Sequence, residues 1–85
     1  IIRYDQNFLL FSNPNPPVQP GRGQRIRMTV KLSEDDGQSW TAGYLIDEGP
    51  AAYSALVALP RQGVGLLYEK DKDIAFAKFS LDLLN

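Results

Sequence analysis

The chain has 85 residues, 44% hydrophobic and 11% aromatic, with 9 basic and 10 acidic side chains and a formal net charge of -1. That balance specifies one small globular unit, close to the lower size at which a single core offsets chain entropy, and it offers no strong field for nucleic acid or an anionic membrane. Cysteine and histidine are both absent. Their absence excludes disulfides, thiolate or imidazole metal ligation, and the triads that need a histidine base. No apolar run approaches the roughly 20 residues of a membrane span.

The chain opens inside a strand-like run, Ile1-Ile2-Arg3-Tyr4, unlike an ordinary translation start, so a processed or truncated N-terminus is expected. Asp5-Gln6-Asn7 is a turn signal, and Phe8-Leu9-Leu10-Phe11 reads as a buried strand. Residues 12–24 then carry four prolines and two glycines in thirteen positions, which predicts a long loop. Loops of that length in small domains are commonly functional or mobile.

From Arg25 to Leu32 the pattern alternates. Ile26, Met28, Val30 and Leu32 fall on one side, and Arg25, Arg27, Thr29 and Lys31 on the other, as in a half-buried strand. Ser33-Glu34-Asp35-Asp36-Gly37-Gln38-Ser39-Trp40 follows. Asp36-Gly37 is a tight-turn pair, Asp35 can accept backbone N–H groups, and Trp40 can fold its ring over the loop. A strand is predicted over 40–46 and a turn at Asp47-Glu48-Gly49-Pro50. Two short apolar strands come next, with Tyr53 at the start of the first, Pro60-Arg61-Gln62-Gly63 between them, and Glu69 at the end of the second. Lys70-Asp71-Lys72-Asp73 reads as a charged turn, Ile74 to Phe79 as a last alternating strand, and residues 80–85 as a short tail.

No helical period appears, and turn signals recur every eight to twelve residues or so, which points to an all-β fold of short antiparallel strands. Four strands, a turn and three more strands fit one propeller blade plus three strands of another. In such a meander successive strands alternate direction. Arg25, Tyr53, Glu69 and the proline-rich loop are therefore expected on one face, and the tryptophan turn on the other.

Ser33-x-Asp35-x-Gly37-x-x-Trp40 resembles the Asp-box, the S-x-D-x-G-x-x-W repeat of sialidases and related six-bladed propellers, a marker of fold rather than chemistry. Phe11-Ser12-Asn13-Pro14, an arginine shortly before that box, Ala52-Tyr53-Ser54 and Leu67-Tyr68-Glu69 stand in the order found near the C-terminal end of bacterial-type exo-α-sialidases. The resemblance covers nearly the whole chain. It implies that residues 1–85 are the C-terminal part of a single six-bladed catalytic propeller, about one blade plus three strands of the last blade, and not an independent domain. It also implies hydrolysis of terminal sialic acids with retention, by a tyrosine nucleophile and an arginine clamp on the sugar carboxylate.

Carried over residue by residue, the nucleophile is Tyr53, and Glu69 supports the arginine cluster. The clamp arginine is best matched by Arg25, which precedes Tyr53 by 28 residues. Arg27 on the same predicted strand and Arg22 in the loop are the alternatives. The residue types suit the substrate class. A carboxylate nucleophile would approach the like charge of the sugar, whereas a neutral phenol avoids it, and sialidases are the tyrosine-dependent exception among glycosidases. A phenol has a pKa of about 10 and needs a neighbouring base. Arginine forks pair bidentately with a carboxylate.

The family also requires two further arginines, an acid/base aspartate and a glutamate that activates the tyrosine, and this sequence contains no match for them. The implied partners are a sialylated glycan and the remainder of the propeller, as another chain or an upstream segment, with no nucleic acid, membrane span, cofactor or metal. The family's setting is secreted, cell-surface or lysosome-like. The alternative expectation is a non-catalytic propeller segment that binds glycan or protein.

Overall fold

The computed structural model describes residues 1–15, 25–61 and 63–84. Among the described residues seven strands occur in chain order: β1 (Ile2–Arg3), β2 (Leu9–Pro14), β3 (Ile26–Ser33), β4 (Tyr44–Pro50), β5 (Ser54–Leu59), β6 (Gly63–Lys70) and β7 (Asp73–Ser80). A single 3₁₀ turn at Leu81–Leu84 closes the described chain. Strands β1-β2-β3-β4 form one antiparallel sheet, and β5-β6-β7 form a second. This is the expected all-β propeller segment: a four-stranded meander followed by a three-stranded one.

The two sheets stack face to face because each strand presents apolar residues at every second position. Leu10, Met28, Val30 and Leu32 from the first sheet are buried against Val64, Leu66 and Tyr68 from the second. Leu81 and Leu84 of the 3₁₀ turn add to the same core. Residues that sequence alone leaves as a tail therefore seal one margin of the sandwich.

The predicted proline-rich loop differs from the structure at its start. Ser12, Asn13 and Pro14 continue β2, pairing Val30, Thr29 and Met28. Among the described residues β1 pairs with Leu9 and Leu10 of β2, and Pro14 stands at the last position of β2, where a residue without an N–H is tolerated. The rest of that loop, including Arg22, lies outside the described residues.

The second difference is β4, which runs over Tyr44–Pro50 rather than 40–46 and absorbs the predicted turn at Asp47–Pro50. Its register slips twice. Thr29 pairs Leu45, Met28 pairs Asp47, and Ile26 pairs Pro50. Extra residues in one strand of a pair bend it and re-aim its side chains. In an unbroken ladder continuing from Thr29–Leu45, Met28 would face Ile46. Instead it faces Asp47, and residues opposite each other in a ladder share a face, so an aspartate is delivered to the side of the sheet that packs on its neighbour. Glycine and proline after Asp47 look like a turn in sequence; here they accommodate bulges.

The Ser33–Trp40 segment is the predicted tight turn. Asp36 and Gly37 have φ of 58° and 89°, the positive pair that hairpin turns require. Ser33 Oγ accepts the Gly37 N–H at 2.8 Å and donates to Asp35 Oδ1 at 2.8 Å. Asp35 also takes the Ser39 N–H at 2.8 Å and the Ser39 hydroxyl. These bonds hold the Asp35 carboxyl below its ordinary range, the Ser39 hydroxyl contributing most. Trp40 packs near Gly37 and tilts against Phe11 with ring centroids 5.9 Å apart.

Candidate functional site

The site is built from the residues that flank the start of the second sheet. Arg25 immediately precedes β3, Tyr53 immediately precedes β5, and Glu69 lies near the end of β6. Because β4 returns to the edge where β3 began, its exit meets Arg25: the Ala51 N–H donates to the Arg25 carbonyl at 2.8 Å. Two residues later the Arg25 guanidinium carbon sits 5.4 Å from the centroid of the Tyr53 ring. That is within cation–π range, and it places a fixed positive charge against the phenol's face.

Tyr53 and Glu69 are bound through main chain and side chain together. The Ala52 N–H donates to the Glu69 carbonyl at 3.1 Å, and the Glu69 N–H donates to the Tyr53 carbonyl at 2.9 Å. The Tyr53 N–H in turn donates to Glu69 Oε1 at 3.2 Å. The three residues named from sequence therefore stand together at one end of the stacked sheets, as the strand alternation predicted.

Register decides which way these groups face. In the second sheet Ala55 pairs Leu67, Val57 pairs Gly65, Leu67 pairs Phe76 and Glu69 pairs Ile74. Glu69 thus shares the outer face with Leu67, Ile74 and Phe76, whereas Tyr68 shares the inner face with Leu66 and Val64. An open depression of about 320 Å³ is lined mainly by residues of the outer face, Tyr53, Ala55, Leu67, Glu69 and Ile74, and is bordered also by Ser54 and Tyr68. Tyr53, at the sheet end of this depression, is 72% exposed. A smaller recess of about 180 Å³ lies beside Arg25, between Ala51, Ala52 and Asp71.

Of the three arginines considered for the clamp, Arg22 lies outside the described residues, and Arg25 and Arg27 differ in their surroundings. Arg27 has a positive φ of 64° and lies where the β3–β4 register slips, so the clean alternation predicted from Arg25 to Leu32 is interrupted there. Its guanidinium pairs with the exposed Glu48 at 3.4 Å, away from the contact Arg25 makes with Tyr53. Among the described residues no salt bridge joins Glu69 to an arginine. Nor does any group of three or more acidic side chains among them have the arrangement to hold a metal ion.

Sequence reading missed a second layer beneath the site. Asp47 Oδ2 accepts from the Tyr68 hydroxyl at 2.9 Å and lies 2.7 Å from Lys70 Nζ, while Asp47 Oδ1 accepts the Gly49 N–H at 2.9 Å. The Asp47 side chain is only 13% exposed. Lys70 and the Gly49 N–H hold its carboxyl below the ordinary range; Asp47 raises Lys70, and burial followed by Asp47 raises Tyr68. Nearby, the Ser12 and Ser54 hydroxyls share a 2.7 Å hydrogen bond that joins β2 to β5. The available signal was parity: Tyr68 and Lys70 are two apart in a strand and so share a face, opposite to that of Glu69.

Three known proteins to which the chain is similar are sialidases. The chain is similar to a sialidase of Micromonospora viridifaciens, with 40% identity over 73 residues covering 86% of this chain and 10% of that protein. It is also similar to sialidase-4 of Homo sapiens and of Mus musculus, with 36% and 38% identity over 86 aligned positions, 87% of this chain and 17% of each. The chain thus spans 10 to 17% of the length of these curated relatives. No protein-family model matches it.

Proposed function

We propose that the chain, which is similar to sialidases, forms one side of the active site of a retaining exo-α-sialidase, with the rest of the site contributed by further propeller blades. The observation that carries this reading is the convergence of Arg25, Tyr53 and Glu69 at one end of two stacked sheets, three residue types a sialoside-cleaving site requires.

In this reading the Tyr53 phenol oxygen attacks the anomeric carbon, its proton passing to a base on another blade. The bond to the leaving sugar oxygen breaks as that oxygen takes a proton from an acid. Water then releases the sugar from the tyrosine, and two inversions give net retention. Arg25 pairs with the sugar carboxylate through its planar fork, and its position over the Tyr53 ring fixes the substrate's charged group relative to the nucleophile. Glu69 holds the Tyr53 main chain and supplies the negative charge that orients the arginines of the complete clamp.

The dependence on further blades has its own support. The outer face of the second sheet exposes Val57, Leu67, Ile74 and Phe76, of which Ile74 is 66% and Phe76 57% accessible. An apolar sheet face of this kind is ordinarily covered, and stacking another sheet on it repeats the packing already present between the two sheets of this chain. Residues 1–85 are accordingly read as part of one catalytic propeller domain.

The test is Tyr53→Phe in the full-length protein, assayed with an aryl sialoside. The variant retains the ring that packs under Arg25 and loses only the hydroxyl. Turnover is expected to be abolished; turnover near the wild-type level removes Tyr53 as the nucleophile. A full-length protein that binds sialosides but never cleaves them would favour a non-catalytic binding propeller.

A further inference from the structure

The polar cluster beneath the site is fastened to the strand that carries Glu69. Tyr68 and Lys70 are the immediate chain neighbours of Glu69, and both are held by the same carboxylate, that of Asp47 on the other sheet. With its two neighbours fastened to the inner face, Glu69 is obliged to project from the outer one, since side chains alternate along a strand. The main chain at Glu69 is in turn the partner of Ala52 and Tyr53 in both directions. The bulges of β4 exist at the position that turns Asp47 inward, opposite the buried Met28.

We propose that Asp47 is a positioning residue for the Tyr53–Glu69 edge, tying the last rungs of the second sheet to the first through Tyr68 and Lys70. Its catalytic consequence rests on the sialidase reading; its structural consequence does not. A carboxylate suits the position because it accepts from a phenol, an ammonium and a backbone N–H at once, which an amide does with only one oxygen. The Ser12–Ser54 hydrogen bond fastens the residue after Tyr53 to the first sheet. The edge is therefore fixed on the side of each of its two partners.

The experiment compares Asp47→Ala and Asp47→Asn with wild type in the full-length protein by two readouts. Amide hydrogen exchange at Ala52 and Glu69 is expected to accelerate about tenfold or more in Asp47→Ala, with amides at the Gly63 end of β6 unchanged. With an aryl sialoside, kcat is expected to fall about 10- to 100-fold while KM stays near wild type, because misplacement of reacting groups affects the transition state more than ground-state binding. Asp47→Asn retains one acceptor oxygen and is expected to recover part of both effects; it also carries the test if Asp47→Ala does not fold. Unchanged exchange at Ala52 and Glu69 overturns the proposal, and so does a uniform acceleration along β6 or an unchanged kcat. Where wild type itself fails to cleave sialosides, the sialidase reading falls and the exchange measurement alone decides the role of Asp47.

Discussion

The Tyr53 N–H donates to Glu69 Oε1 at 3.2 Å, and the Glu69 N–H donates back to the Tyr53 carbonyl at 2.9 Å. Glu69 is thus joined to Tyr53 twice, once by a charge-bearing side chain and once by the ladder. Its carboxylate has a second oxygen to offer a cation.

The proposed role of that charge is separable from the backbone contact. Glu69→Gln keeps an oxygen able to accept the Tyr53 N–H but carries no charge. If Glu69 supports the arginine clamp electrostatically, Glu69→Gln should lower kcat/KM for an aryl sialoside about 10- to 100-fold, the range expected for losing a hydrogen bond to a charged group. Glu69→Ala should be no better. A Glu69→Gln variant within about threefold of wild type would confine Glu69 to holding the backbone.

Arg25 and Arg27 should differ sharply in effect. Arg25 lies against Tyr53, while Arg27 is engaged with an exposed glutamate, a type of pair worth ~0–1 kcal/mol. Arg25→Lys retains the charge and loses the planar fork. It is expected to raise KM by about tenfold or more, as loss of bidentate carboxylate recognition implies. Arg27→Ala is expected to leave KM within about twofold of wild type. The reverse ranking would transfer the clamp to Arg27.

The Asp47 cluster predicts a stability profile with two limbs. Asp47 and Asp35 have folded pKa values below the ordinary aspartate range, so their contributions are present above about pH 3.9 and disappear as pH falls through the lowered folded values. Lys70 and Tyr68 have folded values above the ordinary ones, so their contributions are present below about pH 10 and disappear as pH rises through the raised folded values. The urea midpoint should therefore decline at both extremes. Asp47→Asn should reduce both limbs, leaving the acid part due to Asp35 and the alkaline part due to burial of Tyr68, and Asp35→Asn should reduce only the acid one, because Asp35 has hydroxyl and amide partners and no cation. An alkaline limb in Asp47→Asn equal to that of wild type would contradict the cluster's part in it.

Much of the architecture is legible in the sequence. The alternation of Ile26, Met28, Val30 and Leu32, the Asp36-Gly37 turn and the apolar runs either side of Pro60 specify short antiparallel strands, because burial on one face imposes a period of two. Chain direction alone then carried Arg25, Tyr53 and Glu69 to the same end. What was not legible was register. Asp47-Glu48-Gly49-Pro50 contains every residue type of a turn and yet forms the bulged end of β4. Ser12 to Pro14 reads as loop and yet extends β2.

The amino-acid pattern by itself determined the fold class and the order of strands, since these follow from periodicity, turn chemistry and alternating direction, whereas Tyr53, Glu69 and a clamp arginine at Arg25, Arg27 or Arg22 were named only through the resemblance to sialidases. Only the tertiary structure decided that Arg25 rather than Arg27 stacks on Tyr53, and that Asp47 ties β4 to the strand bearing Glu69. The physical reason is that a slip of one residue in a strand pair exchanges the faces of every side chain beyond it. Local sequence does not encode where that slip falls, because it is set by how well two sheets pack once they meet.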